Sequence, residues 1–284
     1  MKFHPFQLLL ITPLLFLSCS SEDSPREEVM PDTFIFEDDF ETVSGELDEL
    51  FPTDQSRWST LQQTNPSGAV NEISVSTARS SLGASSLRIL ARQSDALLSK
   101  MDIEKNGLNI APGSRVSIAA DFFIPGTQPL TNLLLIDLEC CSCWDPEVGD
   151  NFGAENQCPG VRLMMTGDND YLAIERGKIS GTTLVQSAVP FPRNEWVNVV
   201  WEMTLAPDDT GQNILRIEGV EVINESAMNL PSAAVFREVF AQEGIAFELA
   251  DPAFYERVQI GATANPIAGD VEIYIDNFSI RIEQ

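Results

Sequence analysis

Apolar and polar residues alternate along most of the chain from residue 34 onward, which is the pattern that half-buried β-strands produce. A clear example is an apolar stripe whose members are separated mostly by polar residues: Val197, Val199, Trp201, Met203 and Leu205. Turn residues divide many short stretches of this kind, and helical periodicity is almost absent. The pattern predicts an all-β chain folded as an antiparallel β-sandwich with at most one or two short helices.

Three local features refine this prediction. Glu218-Gly219 lies between two strand patterns and predicts a tight hairpin, because glycine accepts the positive φ that such turns need. In the last strand the apolar face changes parity at Asp276-Asn277, which predicts a β-bulge. Residues Leu230–Gln242 predict a short helix begun by Pro231.

The N-terminal residues have the layout of an export signal. Lys2 precedes the apolar run Phe6–Leu17, which is too short to span a membrane and is typical of a secretory signal. Ser18-Cys19 resembles the bacterial lipoprotein signal, in which the cysteine is lipidated. The acidic residues that follow resemble the export tag of Bacteroidetes surface lipoproteins.

These resemblances imply three segments. Residues 1–18 form a signal peptide, residues 19–33 form an acidic tether that begins with a lipid anchor at Cys19, and residues 34–284 form one β-sandwich domain. The implied location is the outer membrane, exposed at the cell surface. An ordinary secreted protein is the alternative.

Charge and histidine content exclude several functions. The 284 residues include 17 Lys and Arg against 43 Asp and Glu, a formal net charge of −26. Such a chain lacks the basic surface that nucleic-acid binding needs. Cleavage before Cys19 removes His4, the only histidine. Because imidazole is a common general base and metal ligand, its loss argues against Ser-His-Asp hydrolysis, Cys-His proteolysis and most zinc enzymes.

Besides Cys19, four cysteines are present, clustered in one segment: Cys140, Cys141, Cys143 and Cys158. An even number of cysteines in an oxidising compartment predicts two disulfides, in one of three pairings. A four-thiolate metal site is the alternative, but these spacings do not match those of structural zinc sites. We expect the disulfides to hold the loop over residues 144–157.

The order of several short motifs sharpens the fold prediction. The motifs are Phe36–Glu41, Trp58, Ser85–Ile89, Arg193–Val199 and Ile275–Ile280. Their order resembles the concanavalin A-like, laminin-G-like jelly rolls, a group that includes many carbohydrate-binding modules and several polysaccharide lyases. The resemblance covers residues 34–284 and supports the fold better than any activity.

Sandwiches of this group often hold a structural calcium ion between the first and last strands. The resemblance implies such a site here, with oxygen ligands from Asp39 and Glu41 on one side and Asp276 on the other. The alternative is that these acids are solvated beside a turn.

The segment Leu135–Glu139 is the first candidate for chemistry. On a β-strand, Asp137 and Glu139 share a face with Leu135. Family 16 glycoside hydrolases, which are also jelly rolls, carry a similar Glu-x-Asp-x-Glu strand. Leu135 replaces the first glutamate, so a retaining hydrolase would lack its nucleophile. We therefore expect Asp137 and Glu139 to bind ligand rather than to catalyse hydrolysis.

A second candidate is β-elimination of an acidic polysaccharide, which needs a group that neutralises the uronate carboxylate, a base and an acid. The segment Tyr171–Lys178 resembles the tyrosine- and lysine-bearing strand of alginate-lyase-type jelly rolls. The resemblance implies Tyr171, Arg162 and Lys178 as catalytic residues, with Tyr171 as both base and acid because no histidine remains. A purely structural role for these side chains is the alternative.

Glycan binding without cleavage requires fewer specific residues than catalysis does. Aromatic rings stack on sugar rings, and polar side chains hydrogen-bond the hydroxyl groups. Trp144 has polar neighbours and is the best candidate ring. We predict a binding face built from Leu133–Glu139, Val161–Thr166 and Tyr171–Lys178, with Trp144 at its rim. The predicted ligand-binding residues are Asp137, Glu139, Trp144, Arg162, Tyr171, Glu175 and Lys178.

The sequence thus favours a surface lipoprotein whose β-sandwich binds a glycan, with a lyase or a family-16-like hydrolase as the alternative. A second alternative is a non-catalytic domain that binds protein partners in a surface assembly. A neutral glycan suits the acidic chain better than a uronate polymer, unless Arg162, Arg176 and Lys178 cluster at the site. Apart from a structural calcium ion, no cofactor is expected.

Overall fold

The computed structural model describes residues 33–95, 99–140, 142–143, 159–177, 182–242, 244 and 249–284. Two antiparallel sheets, of eight and seven strands, pack their apolar faces against each other. The β-sandwich predicted from the alternating pattern is confirmed. Within these ranges no helix is long and apolar enough to cross a membrane.

The elements have the following bounds along the chain. The strands are β1 (Thr33–Asp38), β2 (Thr60–Thr64), β3 (Glu72–Ser76), β4 (Ser86–Ala91), β5 (Lys100–Ile110), β6 (Arg115–Phe123), β7 (Leu133–Glu139), β8 (Gly160–Thr166), β9 (Tyr171–Arg176), β10 (Thr182–Pro190), β11 (Trp196–Thr204), β12 (Gln212–Ile217), β13 (Val220–Ser226), β14 (Tyr255–Thr263) and β15 (Val271–Glu283). A 3-10 turn spans Leu47–Leu50, and the helix α1 spans Ala233–Gln242, inside the range predicted for it.

The strand order shows which residues become neighbours. The eight-stranded sheet has the order β13-β12-β11-β6-β15-β4-β3, and β1 also pairs with β15. The seven-stranded sheet has the order β10-β9-β8-β7-β14-β5-β2. All of these pairings are antiparallel, so a residue on one strand lies directly opposite a residue on the next.

The last strand contains the predicted bulge. The register between β15 and β6 shifts between Asp276 and Ser279, and Asn277 has a φ of +48°. Ile275 before the bulge and Phe278 after it both enter the core, although they are three residues apart. The bulge also marks the point where the other neighbour of β15 changes from β4 to β1.

The hairpin between β12 and β13 is confirmed as well. Glu218 and Gly219 connect Ile217 to Val220, and both have positive φ, of +51° and +73°. A two-residue turn of this type twists in the same sense as the strands that it joins.

The core between the sheets contains an aromatic cluster around Trp58. This side chain is fully buried, and its ring lies 5.2 Å from Phe36, 6.1 Å from Phe40 and 5.0 Å from Phe278, centroid to centroid. The cluster packs the segment after β1 against the last strand. Trp201 is also fully buried, as its place in the apolar stripe of β11 predicts.

Candidate functional site

A row of polar side chains crosses the seven-stranded sheet on the face that points away from the core. Neighbouring residues such as Ile103, Ile136 and Ile260 enter the core, and side chains alternate along a strand, so the row lies on the opposite face. The antiparallel register aligns one residue from each of five adjacent strands. This polar row consists of Glu104 on β5, Gln259 on β14, Asp137 on β7, Arg162 on β8 and Glu175 on β9.

One half of the polar row is tied together by Gln259. Its Nε2 donates to Oε2 of Glu104 and to Oε2 of Glu139, each at 3.0 Å. Arg257 lies directly opposite Glu139, and its Nη1 donates to Oε1 of Glu104 at 3.2 Å. Carboxylate, amide and guanidinium groups therefore hold one another in place on this part of the face.

The other half of the row surrounds Arg162, which lies directly opposite Asp137 on one side and Glu175 on the other. Nε of Arg162 lies 3.6 Å from Oε1 of Glu175. The Arg162 side chain is 3% exposed and that of Glu175 is 21% exposed, so solvent reaches this end of the row at Glu175. Burial raises the pKa of Glu175; the charge of Arg162 opposes this shift and that of Asp137 adds to it.

Several buried polar atoms of this face have no hydrogen-bond partner in the described part of the chain. They are Nη2 of Arg162, Nε of Arg257 and Oε1 of Gln259. Buried polar groups in folded proteins are almost always hydrogen-bonded, because an unmade bond costs about 1–3 kcal/mol. These donors and this acceptor are suited to a ligand that carries hydroxyl and carboxylate groups.

A glycine makes room for the carboxylates of the row. Gly160 lies opposite Glu139, and a Cβ atom at Gly160 would lie 2.5 Å from the carbonyl oxygen of Leu138 and 2.9 Å from Oδ1 of Asp137. Any larger residue would push these groups apart. The small residue at the start of β8 is therefore part of the site.

Tyr171 lies on the same face as Arg162 but not beside it. Tyr171 is four residues before Glu175 on β9, which corresponds to about 13 Å along a strand. An apolar cluster that includes Leu134, Met164 and Ala173 occupies the intervening row. Tyr171 and Arg162, which the resemblance implies as catalytic residues of a lyase, are therefore not neighbours on this face.

Arg176 and Tyr255 also lie away from the polar row. Arg176 alternates with Glu175, so it points to the other side of the sheet, where its Nη1 donates to the carbonyl of Met228. Arg176 therefore does not join Arg162 in a basic cluster, which the sequence analysis gave as the condition for a uronate polymer to suit the acidic chain as well as a neutral glycan. Tyr255 is buried in the core, where its hydroxyl donates to the carbonyl of Asn229 at 2.6 Å and burial raises its pKa.

Leu135 does not share a face with Asp137, contrary to the alternation expected for this strand. The pairing of β7 with β8 shifts between Leu134 and Ile136, and this irregularity turns Leu135 into the core. Residue 135, the first position of the family-16-like motif, is therefore not a glutamate, and its side chain does not lie on the face of the polar row.

One predicted disulfide is present, between Cys140 and Cys143, with 5.5 Å between their Cα atoms. It follows directly after Glu139 at the end of β7. Several other predicted residues lie outside the described ranges: Cys19, Cys141, Trp144, Cys158 and Lys178.

The three residues that the resemblance implies as calcium ligands accept hydrogen bonds from backbone amides in this structure. Oε1 of Glu41 accepts the amide hydrogens of Ala84 and Ser85, whereas Oδ2 of Asp276 accepts those of Ser81 and Leu82. These two carboxylates hold the two ends of one loop. Asp39 accepts from the amide of Glu41. Among the described residues no three or more acidic, cysteine or histidine side chains gather as a metal site, and calcium binding stays an untested prediction.

Three residues of the site, Glu104, Arg257 and Gln259, were not predicted from the sequence. Glu104, Arg257 and Gln259 come from β5 and β14, which are far apart in sequence but adjacent in the sheet. The available signal was alternation: Asp102 and Glu104 interleave with Met101 and Ile103, and Arg257 and Gln259 interleave with Val258 and Ile260. Acids and amides in such positions face away from the core.

Comparisons with known proteins give the class of fold. No protein-family model matches the sequence, and no curated protein matches it. Among solved structures, the chain is similar to an endo-β-1,4-glucuronan lyase from the fungus Trichoderma reesei, with a TM-score of 0.57 and 12% identity over 86% of this chain and 94% of that one. It is also similar to the cellulose-induced protein Cip1, with a TM-score of 0.52 and 14% identity over 86% of this chain and 96% of that one. At these identities the likeness shows a shared jelly-roll fold.

Proposed function

We propose that the polar row binds an acidic polysaccharide and cleaves it by β-elimination. The observation that carries this proposal is the buried guanidinium group of Arg162, which has an unpartnered Nη2 and a carboxyl-bearing residue on each side. A guanidinium in such a place is suited to pair with a uronate carboxylate. The fold shared with a glucuronan lyase supports the same class of reaction.

The spacing of the strands suggests how the substrate lies. Asp137 and Glu175 flank Arg162 on β7 and β9, so their Cα atoms are about 10 Å apart, two strand spacings. In this proposal one sugar ring lies over Arg162, with its carboxylate directed at the guanidinium group. The carboxyl groups then approach the ring from both sides.

In the proposed reaction Arg162 neutralises the uronate carboxylate and thereby acidifies the neighbouring C5–H bond. Asp137 accepts the C5 proton, the electron pair forms the C4–C5 double bond, and the C4–O4 bond breaks. Glu175 donates its proton to the leaving O4 atom. The proton taken by Asp137 and the proton given by Glu175 balance, and no water is consumed.

The raised pKa of Glu175 supports its role as the acid. A carboxyl group buried beside another acid keeps its proton at a higher pH than a solvated one. Protonation also removes a negative charge from a face where acids outnumber arginines. Both effects favour uronate binding and turnover at mildly acidic pH.

Glycan binding without cleavage is the second candidate. The positions of two tyrosines favour it, because neither can act as the base or the acid at the row. Tyr171 lies about 13 Å along the strand from the row, and the Tyr255 hydroxyl donates to the Asn229 carbonyl in the core. In that case the same row hydrogen-bonds sugar hydroxyls, and Arg162 selects a carboxylate without turnover.

We also propose that the chain is exported and anchored by a lipid, as its N-terminal residues predict. A lipid anchor at Cys19 would place the domain at the outer membrane with its polysaccharide outside the cell. Metabolic labelling with a radioactive fatty acid tests this directly: label is expected in the full chain and lost in Cys19→Ala. Label retained in the variant would show that Cys19 is not the anchor.

The activity is tested with the purified protein and a panel of glucuronan, alginate and neutral glucans. Ultraviolet absorbance reports the unsaturated uronate product, and a reducing-end assay reports any cleavage. Absorbance that appears with a uronate polymer supports elimination. New reducing ends without absorbance indicate hydrolysis, and retention of polymer without either signal indicates binding alone.

A further inference from the structure

A second groove lies on the outward face of the eight-stranded sheet, on the opposite side of the sandwich from the polar row. It has a volume of about 430 Å³ and crosses the ends of β15, β6, β11 and β12. We call it the outer groove. Its lining includes Arg115, Ser117, Glu202, Gln212 and Arg281.

The sequence builds this groove by placing a small residue between long ones. Ser117 on β6 lies directly opposite Arg281 on β15 and Glu202 on β11. The walls are therefore about 10 Å apart, two strand spacings, with the hydroxyl of Ser117 on the floor. Val116, Ile118 and Met203 turn into the core, so the groove presents mainly polar side chains.

Ion pairs hold the walls in position. Nε of Arg281 donates to Oε1 of Glu283 at 2.9 Å, and Nη1 of Arg216 donates to Oε2 of Glu202. Side chains that are already held lose less conformational entropy when a ligand binds. Glu202 and Arg281 are therefore each paired before any ligand arrives.

Two guanidinium groups on this face have no ion pair within the described ranges, although the chain has 43 acidic residues. Arg115 lies at the end of the groove, and the guanidinium of Arg79 lies 4.1 Å from the ring centroid of Phe123, at the other end of β6. Unpaired arginines on the surface of a strongly acidic protein are suited to an anionic ligand.

We propose that the outer groove binds a second segment of an acidic polysaccharide, with Arg115 pairing a uronate carboxylate and the groove walls hydrogen-bonding hydroxyl groups. The choice of a glycan as ligand rests on the proposed function, but the groove itself does not depend on catalysis. A polymer held there would stay bound while another segment occupies the polar row.

The test uses affinity electrophoresis of the full folded chain through gels that contain glucuronan, and it is done in the Arg162→Ala background to weaken the polar row. Retention by glucuronan is expected to persist in Arg162→Ala. Adding Arg115→Ala is expected to weaken it about tenfold or more, the effect of losing one charge-assisted contact. Ser117→Trp, which fills the groove, is expected to do the same.

The matched control is Arg92→Ala, which removes one guanidinium with the same change of net charge at a distant ion pair with Asp270. It is expected to leave retention unchanged. Arg115 is exposed, so Arg115→Ala keeps the test valid if Ser117→Trp folds poorly.

The proposal is overturned if Arg162→Ala abolishes retention, if Arg115→Ala leaves it unchanged, or if a neutral glucan is retained equally well. A wild-type protein that shows retention but forms no unsaturated product overturns the proposed lyase activity and leaves the outer groove standing.

Discussion

Nε of Arg162 lies 3.6 Å from Oε1 of Glu175, across two neighbouring strands of the seven-stranded sheet. Asp137 lies opposite Arg162 on the other side, so one guanidinium group is flanked by two acidic residues. Three adjacent strands thus bring together a group that can bind a carboxylate, a group that can accept a proton and a group that can donate one.

Replacing Arg162 tests the role of its charge. We expect Arg162→Ala to lower kcat/KM on glucuronan by about a hundredfold or more, because an electrostatic contact in the transition state is lost. Arg162→Lys keeps the charge but loses the planar fork, so we expect it to restore only a small part of the activity. Steady-state kinetics measures both, with circular dichroism as a check on folding. Turnover near the wild-type value in either variant would contradict the proposed role.

The pH dependence follows from the carboxyl group of Glu175. Burial raises its pKa, so as the pH falls this group takes up its proton before a solvated glutamate does. We expect turnover to fall as the pH rises through that pKa, since the acid is then deprotonated. In Glu175→Gln the proton donor is gone, and we expect kcat to fall while uronate binding is retained or improved. A variant whose kcat and pH profile match the wild type would remove Glu175 from the mechanism.

Replacing Tyr171 distinguishes the proposed mechanism, in which carboxyl groups are the base and the acid, from one in which a tyrosine has these roles. Because Tyr171 lies about 13 Å along the strand from Glu175, we expect Tyr171→Phe to keep kcat/KM near the wild-type value. The measurement is the initial rate of unsaturated product formation. A loss of about a hundredfold would instead point to the tyrosine as base or acid.

The stability of the sandwich depends on Asn229, a fully buried side chain beyond the end of β13. Its Nδ2 donates to the carbonyls of Thr204 and Gln212, and its Oδ1 accepts from the amide of Ala206. We expect Asn229→Ala to lower the free energy of unfolding by about 3 kcal/mol, because buried backbone groups lose their partners.

The control for this variant is Asn224→Ala on β13, whose side chain is exposed. We expect a change within about 0.5 kcal/mol for this surface substitution. Urea denaturation monitored by tryptophan fluorescence gives both values. Equal effects of the two substitutions would show that the Asn229 bonds contribute little.

The sequence predicts the fold well because alternation and turns are local. The stripe of β11, the hairpin at Glu218-Gly219 and the change of face at Asp276-Asn277 each depend on neighbouring residues, and each appears in the structure. The site was predicted only in part. Asp137, Arg162 and Glu175 come from consecutive strands, whereas Glu104 and Gln259 join them through pairings between distant parts of the chain.

Local alternation also misleads where a strand is irregular. The shift between Leu134 and Ile136 sends Leu135 into the core, and nothing in the surrounding residues marks it. The amide donors of one loop that bind Glu41 and Asp276 also have no signal in the sequence. Such partners can be identified only from the three-dimensional structure.

Elimination at the polar row can be tested by the masses of the fragments formed from a glucuronan oligosaccharide of defined length. Elimination divides the substrate without adding water, so the masses of the two fragments add up to that of the substrate, and one fragment carries the C4–C5 double bond. We expect this result with the wild-type protein and little product with Arg162→Ala. Fragments whose masses add up to the substrate plus one water, or no fragments at all despite binding, would contradict the account.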